Sequence, residues 1–451
     1  MKAITYSEFK DKMMRFKSNI AFTYYDDNND YNISYADFLD DIERFAESLE
    51  KEGIRNSRVV FCTSNTYELI PLSIALVKLN NVVLFVDCNA IDFLRLVVEK
   101  YNVSYVVASE DIQKEIDILG NSYIENICIN RIRDEVYRDD ADEVADYILF
   151  TSGSTSTPKG VLISAENMLL AAEYMSNGFK AYKNTLLVLP MNHIYGYNAI
   201  IMSHLYRGEN IILSNGIKFL NKELKRFNPY TVFMVPTLLY SYYDLNLRFG
   251  KSVKEVFGSN ISALYVGGGK LDSQYIFNYR KYGIEVMNGY GITEMCGCIS
   301  IMHEGTEKMG CVGEPYPGVD IKSVDGELYI KSPYKMSGYY DGTQIYNPIE
   351  DGWYRTGDEG YVEEGTVYII GRKDNLVVLP NGKNIYGPEF CGMIKELEGV
   401  EEAMVSVDKN GIVVKVQCKQ YENEFDVVKR IEALNATLPM YMKINRIEVI
   451  K

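Results

Sequence analysis

Apolar runs alternate with amphipathic stretches along most of the chain. Apolar residues recur at helical spacing over residues 35–49, and Arg58–Cys62 has the apolar, β-branched composition of a buried strand. Residues 67–79 again favour a helix, and residues 81–87 favour a strand. The same alternation continues over residues 90–300. Strands separated by helices predict mainly parallel sheets with helices on their faces.

The pattern changes near residue 326. Short apolar segments separated by glycine turns follow at residues 326–330, 353–361 and 366–370. Closely spaced strands of this kind predict a small antiparallel barrel rather than further parallel sheet. After residue 374 a second pattern begins, with two helical segments around a pair of strands, at residues 388–397, 402–408, 412–418 and 424–434.

These two patterns predict an α/β protein with two domains. Residues 1–371 form a large N-terminal domain that holds helix-flanked, mainly parallel sheets and the barrel. Residues 372–374 form a hinge, and residues 375–451 form a small C-terminal α+β domain. A chain of 451 residues is long enough to need more than one hydrophobic core.

Composition excludes several classes of function. The chain carries 47 Lys and Arg against 62 Asp and Glu, a net charge of −15, which opposes non-specific binding of nucleic acid. No apolar stretch is long enough to span a bilayer, and the N-terminus lacks the apolar core of a signal peptide. The eight cysteines include no CxxC pair, so we expect reduced thiols in a cytoplasmic protein and no zinc site.

A loop rich in hydroxyl groups lies between two apolar runs, residues 147–150 and 160–163. Its candidate binding residues are Thr151, Ser152, Gly153, Ser154, Thr155 and Lys159. Backbone and hydroxyl donors in such a loop can surround an anion, and Lys159 adds a positive charge. Pro158 and Gly160 beside that lysine disfavour the helix that a P-loop requires. A surface turn is the alternative, but the pattern indicates a phosphate-binding loop.

Two glycine-containing segments have the composition of a nucleotide site. In the first, Gly289 and Gly291 flank Tyr290, so a flat ligand can approach the ring closely. Glu294 offers a hard oxygen ligand suited to Mg²⁺, with an exposed glutamate in a glycine turn as the alternative. The remaining candidates of the two segments are Asn288, Thr293, Gly267, Gly268 and Gly269.

Two charged residues near the end of the first domain complete the candidates. Asp358 can accept hydrogen bonds from both hydroxyls of a ribose, and Arg372 can donate to the same sugar or to a phosphate. A solvated charge pair is the alternative for each of them.

In this order, and over nearly the whole chain, these motifs resemble the adenylate-forming superfamily of acyl-CoA synthetases, aryl-CoA ligases and peptide-synthetase adenylation domains. The resemblance implies that Tyr290 stacks on adenine, that Thr293 meets the α-phosphate, and that Asp358 and Arg372 bind the ribose. It also implies that Thr155 and Glu294 hold Mg²⁺. Asp374 falls at the hinge about which a small mobile lid rotates.

The segment over residues 189–197 resembles the Pro-x-x-His-x-x-Gly of acyl- and aryl-CoA ligases. Peptide-synthetase adenylation domains instead have an Asp here, which holds the substrate ammonium. That Asp is missing, and burying an unpaired ammonium is costly, so an α-amino acid substrate is disfavoured. The resemblance predicts an acyl pocket formed by His193, Tyr195, Gly196 and Gly291, and it predicts catalytic roles for Thr155, Lys159, His193 and Glu294.

We therefore predict an acid–thiol ligase of fatty-acid or aryl-acid metabolism. It activates a carboxylic acid with ATP and Mg²⁺ as an acyl-adenylate, releases pyrophosphate, and transfers the acyl group to CoA or to the phosphopantetheine of a carrier protein. Two alternatives stay open. One is an adenylation domain that loads an amino acid or aryl acid on a carrier protein. The other is a nucleotide-binding protein with impaired catalysis, because the family's final Gly-Lys motif is not found after Leu438.

Overall fold

The computed structural model describes residues 5–26, 29–62, 64–87, 91–114, 118–124, 127–133, 138–150, 159–178, 183–247, 249–303, 310–373, 376–378, 384–408, 411–438 and 443–450. The chain divides into two compact units. Unit 1 comprises Met1–Ile321, Ile330–Tyr354 and Val362–Tyr368, and unit 2 comprises Lys322–Tyr329, Arg355–Tyr361 and Ile369–Lys451.

The first part of unit 1 alternates helices with strands. In chain order these are α1 (Tyr6–Met14), β1 (Ile20–Tyr25), β2 (Asp30–Ser34), α2 (Tyr35–Lys51), β3 (Arg58–Cys62), α3 (Leu69–Lys78), β4 (Val82–Phe85), α4 (Ile91–Lys100), β5 (Tyr105–Ala108), α5 (Glu110–Gln113), β6 (Gly120–Ile124), β7 (Ile127–Arg131), α6 (Ala141–Val144), β8 (Tyr147–Phe150), β9 (Gly160–Ile163), α7 (Ala165–Gly178) and β10 (Asn184–Leu187).

The alternation continues to the end of the long first segment. The next elements are α8 (Ser203–Leu205), β11 (Asn210–Leu213), α9 (Leu220–Phe227), β12 (Thr231–Met234), α10 (Pro236–Tyr242), α11 (Val253–Phe257), β13 (Ala263–Val266), α12 (Ser273–Arg280), β14 (Glu285–Ile292), β15 (Gly297–Ile301) and β16 (Glu314–Pro315). Tyr195–Met202 and Tyr243–Leu247 are π-helical, whereas Ile217–Phe219 and Thr293–Met295 form 3₁₀ turns.

Strands dominate the rest of the chain. They are β17 (Asp320–Val324), β18 (Glu327–Lys331), β19 (Gly338–Tyr340), β20 (Ile345–Tyr346), β21 (Tyr354–Glu363), β22 (Thr366–Arg372), β23 (Leu376–Val378) and β24 (Asn384–Tyr386), followed by α13 (Gly387–Lys395), β25 (Val400–Asp408), β26 (Gly411–Cys418), α14 (Glu424–Thr437) and β27 (Ile444–Ile450).

Two large mixed sheets organise unit 1. One has the order β16-β15-β14-β13-β12-β10-β11-β1-β2, and the other has the order β20-β19-β9-β8-β4-β3-β5-β7-β6. The central neighbours, such as β12 with β13 and β3 with β4, are parallel, whereas outer pairs such as β14 with β15 and β8 with β9 are antiparallel. The predicted α/β class with mainly parallel sheets is confirmed.

Strand β3 shows why such a sheet needs an uninterrupted apolar strand. All five of its residues are buried. Because successive side chains point to opposite faces, Val59 and Phe61 join the largest hydrophobic core, while Val60 and Cys62 join the core on the other face with Leu94 of α4. A strand covered on both faces reads as a continuous apolar run.

Helix α2 shows the local signals of a surface helix that packs on this core. Its N-cap Ser34 accepts a hydrogen bond from the backbone N–H of Asp37, and the Asp37 side chain bonds back to the Ser34 backbone. Phe38, Ile42 and Phe45 are buried on one face at helical spacing. The helix predicted over residues 35–49 is therefore present.

A smaller sheet, in the order β17-β18-β21-β22, occupies the region where a small barrel was predicted. Beyond it, unit 2 has a second sheet in the order β25-β26-β27. Residues of that sheet form a separate hydrophobic core with α13 and α14, through side chains that include Phe390, Val414 and Ile431. The α+β character predicted for this part of the chain is present. Among the residues described, none of the helices combines the length and apolar composition needed to cross a membrane.

Candidate active site

Strands β8 and β9 form an antiparallel pair on either side of the predicted phosphate loop. Tyr147 faces Ile163 and Phe150 faces Gly160 across the pair. The predicted loop residues Thr151, Ser152, Gly153, Ser154 and Thr155 lie outside the described residues. A Cβ on Gly160 would come within 2.5 Å of Ile148, so glycine is required where the loop re-enters the sheet.

The end of the loop is fixed by hydrogen bonds and ring contacts. The Gly160 backbone N–H donates to the Tyr101 hydroxyl at 3.1 Å, and that hydroxyl donates to the Tyr340 carbonyl at 2.8 Å. Lys159 is exposed, and its Nζ lies 5.9 Å from the centre of the Tyr339 ring. This lysine therefore lies beside the Tyr339 ring, at the position just before β9.

The segment around Tyr290 is part of a strand and not a turn. Strand β14 continues through Asn288, Gly289, Tyr290 and Gly291 and pairs with β15, with an irregular register between Tyr290 and Gly291. A Cβ on Gly291 would lie 2.3 Å from the carbonyl oxygen of Gly297, so the close pairing of the two strands excludes any side chain there. Asn288 is buried and donates to the Cys311 carbonyl at 3.0 Å.

Glu294 follows this strand and is buried, which contradicts the alternative of an exposed glutamate in a glycine turn. Glu294 is only 9% exposed. The Tyr339 hydroxyl donates to its Oε1 at 2.6 Å, and no ion pair joins Glu294 to another of the residues that the structure describes. A buried carboxylate that lacks a protein cation is suited to binding a metal ion.

A cavity of about 320 Å³ opens at the carboxyl ends of parallel strands in unit 1. It brings together most of the predicted pocket and adenine residues, namely His193, Tyr195, Gly196, Gly267, Gly268, Gly289, Tyr290, Gly291 and Thr293. Asn288, Gly269 and Glu294 are not among the described residues that line it. In open α/β sheets, ligands bind at this edge.

The rest of the cavity lining comes from residues that the sequence did not point to. They include Ala199, Phe233, Tyr265, Met287, Cys298 and Ile301. Phe233 and Tyr265 stack at 4.8 Å on adjacent parallel strands. The rule that ligands bind at the carboxyl ends of parallel strands explains their position, since Phe233 lies one residue before the end of β12 and Tyr265 one residue before the end of β13.

Tyr195 is one of three tyrosines among the described residues that line the cavity, with Tyr265 and Tyr290, and its hydroxyl is already bonded. It donates towards the carbonyls of Tyr265 and Met234 at 3.3 and 3.5 Å. Burial raises the pKa of Tyr195 well above its usual value, so the ring stays neutral. The Cys298 thiol donates to the Ser300 carbonyl at 3.1 Å, and burial raises its pKa to about 12. Neither group is ionised at neutral pH.

In unit 2, the two predicted ribose-binding residues Asp358 and Arg372 lie close together. Arg372 Nη1 lies 3.5 Å from Asp358 Oδ1, and the Asp358 backbone N–H donates to Thr356 at 2.9 Å. Asp358 is buried, whereas Arg372 is largely exposed. The predicted hinge residue Asp374 lies outside the described residues.

Beside this pair lies a carboxylate that the sequence analysis did not single out. Glu327 accepts two hydrogen bonds from Arg355, both at 2.7 Å, and one from Lys373 at 3.0 Å. Hydrogen bonding from Arg355 and Lys373 lowers the pKa of Glu327 to about 2. No local sequence pattern points to this cluster, because its members are separated by 28 and 46 positions.

Two mixed sheets, one of which has an apolar cavity at the carboxyl ends of its parallel strands, define an α/β protein with a pocket of the kind that holds small molecules. The chain belongs to the AMP-binding enzyme family, which it matches over residues 9–340. The family prediction is thereby confirmed.

Individual relatives and solved structures agree with this assignment. The 2-succinylbenzoate–CoA ligase of Enterococcus faecalis is 29% identical over 286 residues, which cover 59% of this chain and 57% of that protein. The chain thus spans little more than half the length of that relative.

Two solved structures share the fold. The o-succinylbenzoate CoA synthetase (MenE) of Bacillus subtilis, in complex with the acyl-adenylate intermediate OSB-AMP, has a TM-score of 0.75 at 20% identity, over 97% of this chain and 94% of that one. McyG A-PCP complexed with phenylalanyl-adenylate has a TM-score of 0.78 at 19% identity, over 100% and 80%.

Proposed function

We propose that this protein activates a carboxylic acid with ATP and transfers the acyl group to a thiol. One observation carries the proposal. A single cavity joins an apolar chamber around Phe233 and Ala199 to the glycine-lined wall beside Tyr290 and Thr293. An acid in the chamber would therefore have its carboxylate next to the residues predicted to hold adenine and the α-phosphate.

The reaction has two steps. A carboxylate oxygen forms a bond to the α-phosphorus of ATP while the bond to pyrophosphate breaks. A thiolate sulfur then bonds to the acyl carbon, and AMP leaves with the electron pair of the mixed anhydride. The chain's part in the first step is to orient the acid and to neutralise charge that develops on the phosphates. No covalent enzyme intermediate is needed.

We assign the residues as follows. Thr155 and Lys159 contact the phosphates, Thr293 meets the α-phosphate, and Asp358 and Arg372 bind the ribose. His193 lines the cavity, and we assign it to contact the carboxylic acid substrate. The relatives named as CoA ligases support CoA as the acceptor, whereas the fold shared with McyG A-PCP leaves a carrier protein's phosphopantetheine as the alternative.

Glu294 fits a Mg²⁺ site. It is a hard oxygen ligand and is buried, and no Lys, Arg or His of the described residues forms an ion pair with it. No group of three or more His, Cys, Asp or Glu residues capable of holding a metal comes together in the described parts of the chain. Mg²⁺ is commonly held by one or two carboxylates together with substrate phosphates, and not by an all-protein cage. When bound, Mg²⁺ neutralises charge on the leaving pyrophosphate.

The cavity also indicates the class of acid. Its described lining residues include no Lys, Arg, Asp or Glu. A second carboxylate or an α-ammonium in this chamber would lack a charged partner, and burying an unpaired charge is costly. We therefore propose a monocarboxylic acid whose remainder is uncharged, either an aryl acid or an apolar acyl acid. The enzyme would act in the cytoplasm, where ATP and CoA are available.

An acid panel assayed for pyrophosphate release tests the proposal. The matched pair is 4-oxo-4-phenylbutanoate and 2-succinylbenzoate, which differ only in the ring carboxylate. We expect turnover of the first to exceed that of the second, and no turnover of proteinogenic amino acids. Turnover of an α-amino acid alone would instead support the adenylation-domain alternative. ATP binding without acid-dependent pyrophosphate release would support a nucleotide-binding protein with impaired catalysis.

A further inference from the structure

Tyr339 contacts both charged residues that are predicted to act on phosphate and metal. Its hydroxyl lies 2.6 Å from Glu294 Oε1, and Lys159 Nζ lies over its ring, 5.9 Å from the ring centre. Sheet pairing explains this position, because β19 lies beside β9 and places Tyr339 opposite Val161, two residues beyond the lysine. Tyr339 therefore lies next to the end of the phosphate loop.

The direction of the hydrogen bonds follows from the number of protons. The Tyr339 and Tyr354 hydroxyls lie 2.8 Å apart, and either atom could donate. A phenol has one proton, and an ionised carboxylate can only accept, so Tyr339 donates to Glu294 and accepts from Tyr354.

Glu294 has no other side-chain donor among the residues that the structure describes, so this one bond sets the orientation of its carboxylate. The bond occupies Oε1 and leaves Oε2 for another ligand. A carboxylate that binds a metal is usually oriented by such a hydrogen bond from a neighbouring residue.

We propose that Tyr339 is the positioning residue of the Mg²⁺–phosphate site, with its hydroxyl orienting Glu294 and its ring placing Lys159. The inference rests on the proposed function, since it assigns these two charges to Mg²⁺ and ATP. Without the hydroxyl, the carboxylate loses the contact that fixes it and can turn towards Lys159. Pairing of those two charges would withdraw both from the ligand.

The test is a comparison of Tyr339→Phe with Tyr346→Phe. Tyr346 makes a matched control because it lies opposite Tyr339 on the neighbouring strand β20, is 64% exposed, and takes no part in the proposed site. Tyr339→Phe keeps the ring beneath Lys159 and removes only the donor. Calorimetry measures ATP binding over a range of Mg²⁺ concentrations, with AMP binding measured without metal.

We expect Tyr339→Phe to raise the Mg²⁺ concentration for half-maximal ATP binding by about 10-fold to 100-fold, the usual effect of removing a residue that orients a metal ligand. Binding of AMP should not change, and Tyr346→Phe should behave as the wild type. In a Glu294→Gln background the same substitution should have little further effect, because the carboxylate it orients is gone.

Equal Mg²⁺ requirements in Tyr339→Phe and Tyr346→Phe would overturn the proposal. If Tyr339→Phe fails to fold, Tyr354→Phe tests the proposal instead. That substitution removes the hydroxyl that donates to Tyr339, and so weakens the hydrogen-bond chain that leads to Glu294. A smaller rise in the Mg²⁺ requirement supports the proposal, and no rise overturns it. Binding of ATP needs no acid, so this result is separable from a failure to find an acid that the enzyme activates.

Discussion

Two buried glutamates in different parts of the molecule have opposite surroundings. Glu327 is 3% exposed and accepts hydrogen bonds from Arg355 and Lys373. Glu294 is 9% exposed, and among the described side chains only the neutral Tyr339 donates to it. The charge of Glu327 is neutralised by the protein itself, whereas Glu294 has no cationic partner in the part of the chain that the structure describes.

The difference separates a structural carboxylate from a functional one. A buried charge with two cationic partners stabilises its own part of the fold, and removing it leaves those partners without their acceptor. A buried charge without a cationic partner destabilises the fold, and binding of a cation offsets that cost. We therefore expect changes at Glu294 to act on the reaction and changes at Glu327 to act on stability.

Of the substitutions considered, Glu294→Gln should have the largest effect, on the rate of adenylation. The amide keeps the shape of the side chain but is a poor ligand for a hard cation. We expect adenylation to slow by about 10²–10³-fold at a fixed, subsaturating Mg²⁺ concentration, comparable to the loss of one preorganised electrostatic contact. Pyrophosphate release measured against Mg²⁺ concentration checks this, with AMP affinity as the control. A normal Mg²⁺ requirement would exclude Glu294 as a ligand.

Asp358→Ala should have the next largest effect, on ATP affinity. Hydrogen bonds to a charged group contribute about 1.5–3 kcal/mol each, so we expect ATP to bind more weakly by a few kcal/mol at most. The substitution removes no large apolar side chain from the core, so the fold should persist. Calorimetry of ATP binding is the measurement. Unchanged affinity in a folded variant would show that Asp358 does not contact the ribose.

Local pattern was enough to predict much of the fold. The helix α2 and the strand β3 follow from apolar spacing alone, and so do β25 and β26 in unit 2. The apolar pattern of each of these elements lies within its own residues, so the element can be predicted without knowing its distant contacts. By contrast, the π-helical turns of Tyr195–Met202 carry no periodic signal that distinguishes them from an ordinary helix.

The candidate site was predicted only in part, for a related reason. His193, Tyr290 and Thr293 could be found because motifs surround them in the sequence, and the structure places all three at one cavity. Phe233 and Tyr265 were missed because each looks like any other strand residue until the sheet order is known. Tyr339 was missed because its partner Glu294 lies 45 positions away. The loop residues Thr151 to Thr155 and the hinge residue Asp374 stay predictions.

Glu327→Gln should lower stability and leave the Mg²⁺ requirement unchanged. The amide can accept only on one side, so the paired hydrogen bonds from Arg355 weaken and the contact with Lys373 loses its charge. Both cationic side chains are about half exposed, so solvent reduces the effect, and we expect a loss of about 1–2 kcal/mol in the free energy of unfolding. Urea denaturation at neutral pH measures it. A variant as stable as the wild type would show that the cluster contributes nothing to stability.

The smallest effect should be the pH dependence of the difference in the free energy of unfolding between the wild type and Glu327→Gln. The pKa of Glu327 falls from 4.5 to about 2 in the folded protein, so its ionised form is the one that folding favours. A group with a depressed pKa stabilises the fold above its unfolded pKa, and that contribution disappears as the pH falls through the folded pKa. The stability gap between the wild type and Glu327→Gln should therefore be constant above about pH 5, with about half of it lost by pH 3. Urea denaturation of both proteins at a series of pH values measures the gap. A gap that stays constant on acidification would mean that the carboxylate is not held ionised by Arg355 and Lys373, and the contrast with Glu294 would then lose its basis.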